Sequence, residues 1–283
     1  IIPILVFTPF MAIGQFSDQI IISTEANSPS QVIAADLDQD NDIDVLSIFD
    51  DNVIWFENSG NGTFSTLQTI SDKVDGAKAL TVADIDGDGD NDVLAASFFD
   101  RELYWHENID QADSFYQHII ADSLYFVNSV TPSDIDKDGD LDIIAAVVFD
   151  DKVVWFENDG IGNFSNEAIV SVYVNDAVDI DAADVDKDGD VDVVTASEDD
   201  NKIVLYLNNG EQLFSDSVLI SDEVTNAQLV YFADMNSDSL LDVLVLFPIT
   251  NKIGWFKNLG DLTFSNVLEI SASDDFYTSI YPI

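Results

Sequence analysis

The chain has 283 residues, 47% of them apolar, with 19 Phe, 8 Tyr and 4 Trp; that supports a sizeable core and excludes a disordered chain, which lacks such residues. Against 55 acidic residues stand only 9 basic ones, a formal net charge of −46, so the basic footprint that nucleic acid or an anionic membrane requires is missing. The absence of cysteine excludes disulfides, zinc–thiolate sites and thiol redox chemistry, while metal cations, cationic surfaces and uncharged glycans stay open as partners.

The first segment, "IIPILVFTPFMAIGQ" (1–15), is apolar and then turns polar. It is too short for a membrane-spanning helix. It reads as the apolar region of a secretory signal peptide with Ala12-Ile13-Gly14 as the cleavage site; a buried first strand is the alternative. The chain begins without Met and without a basic leader, which implies a start trimmed within the signal. No later apolar run reaches membrane-spanning length, so no membrane insertion is expected.

From residue 16 onward one unit recurs. Its acidic run opens at Asp36, Asp84, Asp134, Asp184 and Asp234, separations of 48, 50, 50 and 50 residues. A period this regular points to a solenoid, propeller or array. Phe recurs in phase at Phe16, Phe64, Phe115, Phe164, Phe214 and Phe264. Each unit reads as four short strands bounded by turn residues. The first is an apolar stretch such as "QVIAAD" before the acidic run. The second follows it: "DVLSIF" (44–49), "DVLAASF" (92–98), "DIIAAVV" (142–148), "DVVTAS" (192–197) and "DVLVLF" (242–247). The third is an aromatic strand such as "NVIWFEN", and the fourth is "FSTLQTIS" (64–71) with its equivalents. No segment carries a helical period. The expected fold is all-β, a β-propeller of four-stranded antiparallel blades. Five full repeats are present. The tail "SASDDFYTSIYPI" (271–283) aligns with residues 221–233 and opens a partial sixth.

The acidic runs have the spacing of a cation-binding loop. Counting from the first Asp, loop two has Asp84, Asp86, Asp88, Asp90 and Asp92 at positions 1, 3, 5, 7 and 9. Gly89 at position 6 allows the left-handed turn that curls the oxygens inward. Loop one supplies Asp36, Asp38, Asp40, Asp42 and Asp44; loop three Asp134, Asp136, Asp138, Asp140 and Asp142; loop four Asp184, Asp186, Asp188, Asp190 and Asp192. Loop five reads Asp234, Asn236, Asp238, Leu240 and Asp242. Six or more hard oxygen ligands suit Ca²⁺ better than Mg²⁺. The EF-hand closes with Glu at position 12, but position 12 here is Ser47, Ala95, Ala145, Thr195 or Val245. The Asp at position 9 therefore closes the loop, and position 7 gives its backbone carbonyl. A solvated acidic turn is the bland alternative; five in-phase copies with one internal spacing weigh against it. Loop five has the fewest carboxylates and is expected to bind most weakly.

The run "AD(I/V)D-x-DGD-x-D(V/I)", the strand after it and the "N-x-G-x-G-x-F" ending resemble FG-GAP/VCBS-type repeats, as in integrin α-chain propellers and many secreted bacterial proteins. The resemblance covers residues 16–283. It implies a calcium-binding propeller, often of seven blades, with Phe16–Ser23 completing the last blade. On that footing residues 16–283 form a propeller truncated at its C-terminal end. The chain departs from the family pattern in having five loops, and in Leu205 where other units have Trp55, Trp105, Trp155 and Trp255.

Three functions fit. The first is a secreted or cell-surface calcium-binding module for adhesion to an extracellular protein or glycan, without enzymatic activity. The second is the propeller part of an extracellular polysaccharide lyase or hydrolase. The third is a structural spacer. Catalysis should break the repeat, whereas the acids follow it. His106 stands where other units have Phe, His118 falls in a variable strand, and Glu57, Glu107 and Glu157 repeat, which favours structural roles. The tryptophans are candidate sugar platforms, but large aromatics at one position per unit more often pack between blades.

Overall fold

A computed structural model describes residues 21–24, 29–210 and 214–272. The apolar segment 1–15, Phe16 and the partial sixth unit from residue 273 onward lie outside the described residues.

Among the described residues, twenty strands form five four-stranded antiparallel sheets, one per repeat. The first holds β1 (Gln31–Ala35), β2 (Asp44–Phe49), β3 (Asn52–Phe56) and β4 (Gln68–Ser71). The second holds β5 (Ala77–Ala83), β6 (Asp92–Ser97), β7 (Leu103–Ile109) and β8 (Ser114–Ala121). The third holds β9 (Val127–Ser133), β10 (Asp142–Val147), β11 (Lys152–Phe156) and β12 (Ala168–Ser171). The fourth holds β13 (Ala177–Ala183), β14 (Asp192–Ser197), β15 (Lys202–Leu207) and β16 (Asp216–Ser221). The fifth holds β17 (Leu229–Ala233), β18 (Asp242–Phe247), β19 (Lys252–Phe256) and β20 (Leu268–Ala272). Strands pair in chain order within every sheet, the up-and-down arrangement of a propeller blade. No helix among the described residues is long and apolar enough to cross a membrane.

The second strands show why the apolar runs after each acidic loop are unbroken. Every residue of β6, β10, β14 and β18 is buried. A strand covered on both faces has no reason to alternate. The outermost strands differ: β8 alternates between exposed and partly covered positions from Ser114 to Gln117, as a half-solvated strand should.

The fourth strand of the first repeat is shorter than the sequence suggests. It begins at Gln68, and Phe64 makes only an isolated bridge to Asn58. Gly60 and Gly62 take φ of 78° and 76°, folding the hairpin back on itself. The Ser65 hydroxyl then accepts the Glu57 N–H at 3.0 Å, displacing the ladder locally. In the second repeat the hairpin has no glycine, and Asp110, Gln111 and Ala112 take the left-handed turn. There β8 pairs with β7 along its whole length, from Ser114 to Ala121.

The described residues pack as two units: one through Asp150 together with 154–168, the other 151–153 and everything from Ile169 on. In the first, Leu37, Leu46, Trp55, Leu80, Val93 and Tyr104 form one core. Ile85, Leu94, Trp105, Ile143, Val154 and Phe156 belong to a second. In the other unit Val185, Val194, Leu205, Val230, Val245 and Phe256 are joined in one core. Leu37, Ile85 and Val185 are the position-2 residues of their acidic loops, so each loop is pinned by a side chain sunk in apolar packing.

Candidate functional site

Each acidic run links the first strand of its sheet to the second, with the position-9 Asp as the first residue of that second strand. Two left-handed residues bend every loop. Position 4 has φ between 61° and 71° at Gln39, Gly87, Lys137, Lys187 and Ser237. Position 6 follows at Asn41, Gly89, Gly139, Gly189 and Ser239, with φ from 70° to 102°. Such angles are costly for residues with a Cβ, and carboxylates accepting backbone N–H groups hold them. In loop two, Asp86 accepts the Asp88 N–H at 3.2 Å, Asp88 that of Asp90 at 2.9 Å, and Asp84 Oδ2 that of Gly89 at 3.1 Å. Loops one, three and four repeat this pattern.

The position-9 Asp is a clamp. Asp142 is fully buried; its Oδ2 accepts the Ile135 N–H at 3.0 Å and its Oδ1 the Asn158 N–H at 2.8 Å. Asp44, Asp92, Asp192 and Asp242 make the same two bonds. The carboxylate thus ties the loop to the end of the third strand. Sequence reasoning gave no role to the partner asparagine. The Asn108 side chain donates to Leu37 O at 2.9 Å and to Asn91 O at 3.0 Å. The Asn158 side chain donates to Ile85 O at 2.7 Å and to Leu141 O at 3.0 Å. Each therefore joins its own loop to that of another repeat, and the signal was its recurrence ahead of the glycine turn.

The position-1 carboxylates are unlike the rest. Oδ1 of Asp36, Asp84, Asp134 and Asp184 is buried and has no hydrogen-bond partner. Around it the loops gather further carboxylates. Asp84, Asp86 and Asp92 bring one oxygen each within 4.8 Å of the others, as do Asp134, Asp136 and Asp142, and Asp184, Asp186 and Asp192. In loop one the corresponding trio is Asp36, Asp38 and Asp40. Burial pushes the carboxyls of Asp38, Asp86, Asp136 and Asp186 upward. It drives Asp92 to about 6 and Asp142 and Asp192 to about 7. An unpaired buried carboxylate oxygen repeated four times fits a cation, and donor sets made only of hard oxygens fit a hard one.

The position-7 side chains turn toward the glycine hairpins. A Cβ on Gly60, Gly160 or Gly210 would lie 2.2, 2.3 or 2.7 Å from an oxygen of Asp42, Asp140 or Asp190. These carboxylates, with Asp90, are outside the four trios, as are Asp44, Asp88, Asp138 and Asp188.

Loop five satisfies itself. Asp234 Oδ1 accepts the Asp238 N–H at 3.1 Å, and Asn236 donates to Asp242 Oδ2 at 2.9 Å. The Leu240 N–H, and then the Lys257 ammonium, draw the Asp238 carboxyl below its usual range. Burial raises Asp242, as it does Asp44.

The remaining candidates resolve as packing groups. Trp55, Trp105 and Trp155 are 4%, 3% and 2% exposed, so no sugar reaches their faces, while Trp255 is only partly buried and packs against Leu244, Leu246 and Ile253. Trp105 lies so close to Gly162 that a Cβ there would meet its ring at 2.1 Å. His106 is buried with Nδ1 3.2 Å from Val93 O, and burial holds it neutral with a pKa of about 4. His118 pairs with Glu107 at 2.7 Å and stacks on Trp105 at 4.3 Å between centroids.

The sequence matches the FG-GAP-like repeat family over residues 36–95, 85–145, 134–195 and 184–245. No curated protein matches the chain. Among solved structures it is similar to an Agrocybe aegerita lectin described as recognising non-reducing terminal N-acetylglucosamine, with TM-score 0.61 and 18% identity over 86% of this chain. The match spans 66% of the lectin's length. A putative 6-phosphogluconolactonase from Bacteroides uniformis aligns with TM-score 0.60 and 13% identity over 90% of this chain and 74% of its own. Virginiamycin B lyase from Staphylococcus aureus aligns at 0.56 and 11%, over 89% and 72%. At these identities the likeness is one of fold.

Proposed function

The chain belongs to the FG-GAP-like repeat family, and we propose that it is a secreted, calcium-loaded binding module that recognises an extracellular protein or glycan. One observation carries the calcium reading: the unpartnered, buried Oδ1 of Asp36, Asp84, Asp134 and Asp184, each inside a cluster of carboxylates. Ca²⁺ would supply the positive charge that these oxygens lack. Asp84, Asp86 and Asp92 would hold it in loop two, the equivalent residues in loops three and four, and Asp36, Asp38 and Asp40 in loop one. The backbone carbonyl at position 7 is the further ligand expected. The chain's own part is to present the oxygens prearranged: the position-9 clamp, the sunken position-2 side chain and the two left-handed residues fix each loop before any ion arrives.

The role we assign to the metal is to staple the acidic loops that join the first and second strands of each sheet, not to activate a substrate. The acids repeat in phase, and no group of the repeat stands out as an acid–base pair. The fold is compatible with carbohydrate recognition, as the lectin likeness illustrates, but lyase and putative lactonase relatives share it. The binding reading therefore rests on the repeat and its loops. Calorimetric titration of chelator-treated protein tests the calcium part of this reading: four calcium equivalents are expected, and no calcium-dependent heat contradicts it.

A further inference from the structure

Outside the loops, the first packing unit displays a cluster of aromatic rings on its turns. Phe98 and Phe99 lie between β6 and β7, Tyr125 and Phe126 between β8 and β9, and Phe149 between β10 and β11. Phe98 packs edge-on against Phe99, Phe126 and Phe149, with centroids 4.7, 4.8 and 5.9 Å apart. Phe126 and Phe149 are 5.2 Å apart. Yet Phe99 is 64% exposed, Phe149 63% and Tyr125 42%. The rings are held from beneath by backbone bonds between turns: Val148 N–H to Phe126 O at 2.8 Å, Phe149 N–H to Tyr125 O at 3.1 Å, and Phe99 N–H to Asp75 O at 3.1 Å.

The backbone at Phe126 shows that packing alone does not explain the cluster. Phe126 has φ of 66°, a left-handed conformation that is an outlier for a bulky side chain. The same repeat position is Gly76, Asp176 and Asn226, also at positive φ, and those residue types tolerate it. A strained phenylalanine thus replaces the easy residue at the point where its ring supports an exposed aromatic surface.

Charge identifies what fits there. The chain's only arginine, Arg101, lies over the Tyr125 ring, its guanidinium carbon 4.1 Å from the centroid. Carboxylates stand on the same turns: Asp100 accepts the Asp75 N–H at 3.3 Å, and Asp150 that of Tyr125 at 3.4 Å. Aromatic faces fringed by carboxylates attract cations, and the chain's charge of −46 steers them in. We propose that the rings of Phe99 and Phe149, fringed by Asp100 and Asp150 and beside the Tyr125 face that Arg101 already covers, form a docking surface for a lysine- or arginine-rich segment of another protein. The proposal rests on the binding-module reading but not on its calcium sites.

The test uses the full chain in saturating calcium at about 150 mM salt, where diffuse surface charge is largely screened. Fluorescence anisotropy follows a labelled octalysine peptide. The double variant Phe99→Ser/Phe149→Ser keeps every charge and should bind about tenfold more weakly, the scale of lost cation–π contacts, with its melting temperature unchanged. Phe126→Gly should also weaken binding, because it removes the ring that packs against Phe98 and Phe149 while glycine accepts the backbone angle. Undetectable octalysine binding by the wild type overturns the proposal, as does unaltered binding by the variants. Variants that lose binding to N-acetylglucosamine oligomers, or lose self-association, and keep octalysine overturn it too. None of these failures would touch the calcium reading, which calorimetry decides separately.

Discussion

The Lys257 ammonium lies 3.0 Å from the Asp238 carboxylate. Lys257 occupies the repeat position held by Glu57, Glu107 and Glu157, so in the fifth loop a side-chain cation stands beside the acidic run where three other repeats have one more acid. The Asp234 oxygen that corresponds to the unpartnered atoms of the other four loops already accepts a backbone N–H. Loop five has the fewest carboxylates and the fewest unmet bonds.

Calcium stoichiometry should therefore respond unequally to the position-1 residue. Asp84→Asn is expected to remove about one calcium equivalent from the calorimetric titration. Asp234→Asn is expected to leave the count unchanged. Equal losses from the two variants would mean that loop five is an ordinary site.

The clamp should matter even with metal bound. Asp44→Ala, at a clamp carboxylate outside its loop's carboxylate trio, strips the acceptor from two N–H groups, those of Leu37 and Asn58. At about 1–3 kcal/mol for each of the two orphaned donors, the loss should be about 2–6 kcal/mol. Urea unfolding in saturating calcium measures it, and a cost within about 0.5 kcal/mol would contradict the clamp.

Much of this was legible in the sequence because the repeat reports the same geometry five times. The second strands begin and end within a residue of the apolar runs, since a strand buried on both faces is written as an uninterrupted apolar run. Position 9 was readable as the end of the loop's turn because the next strand starts there. The fourth strand of the first repeat was not, because its boundary depends on the Ser65 hydroxyl displacing the ladder. The two-repeat reach of Asn108 and Asn158 was hidden as well, since a contact across about 70 residues leaves no local pattern. Lys257 stood in plain view, but its meaning needed the position of Asp238. The aromatic cluster draws on three separate turns, and only the fold brings them together.

His106 gives a pH signature. Its unfolded pKa is 6.5 and its buried, native value about 4, so between these values the unfolded chain binds the proton and the native state does not. Stability from this residue is intact above pH 6.5 and is lost as pH falls toward 4. His106→Phe, which installs the residue of Phe56 and Phe156, should be nearly neutral at pH 7.5. Its advantage should grow as pH falls, approaching about 3 kcal/mol near pH 4. Chemical denaturation of both proteins across this range reads the difference, and parallel curves would show that His106 is protonated in the fold.

Gly162→Ala should be costly for a residue in a hairpin. The new Cβ would meet the Trp105 ring at 2.1 Å, on a backbone with φ of 76°. Overpacking and backbone strain together are expected to remove more than about 2 kcal/mol. Unfolding followed by tryptophan emission tests this, and a wild-type midpoint would show that the ring has room to move.

The most direct test of the central claim is thermal melting at pH 7.5 with excess calcium and with a calcium chelator. Ligand binding to the native state alone raises stability by about 2.7 kcal/mol for each site filled at a hundredfold excess over its Kd. Four such sites should raise the midpoint by more than about 10 °C. Identical midpoints in calcium and in chelator would contradict the reading of the acidic loops as metal sites.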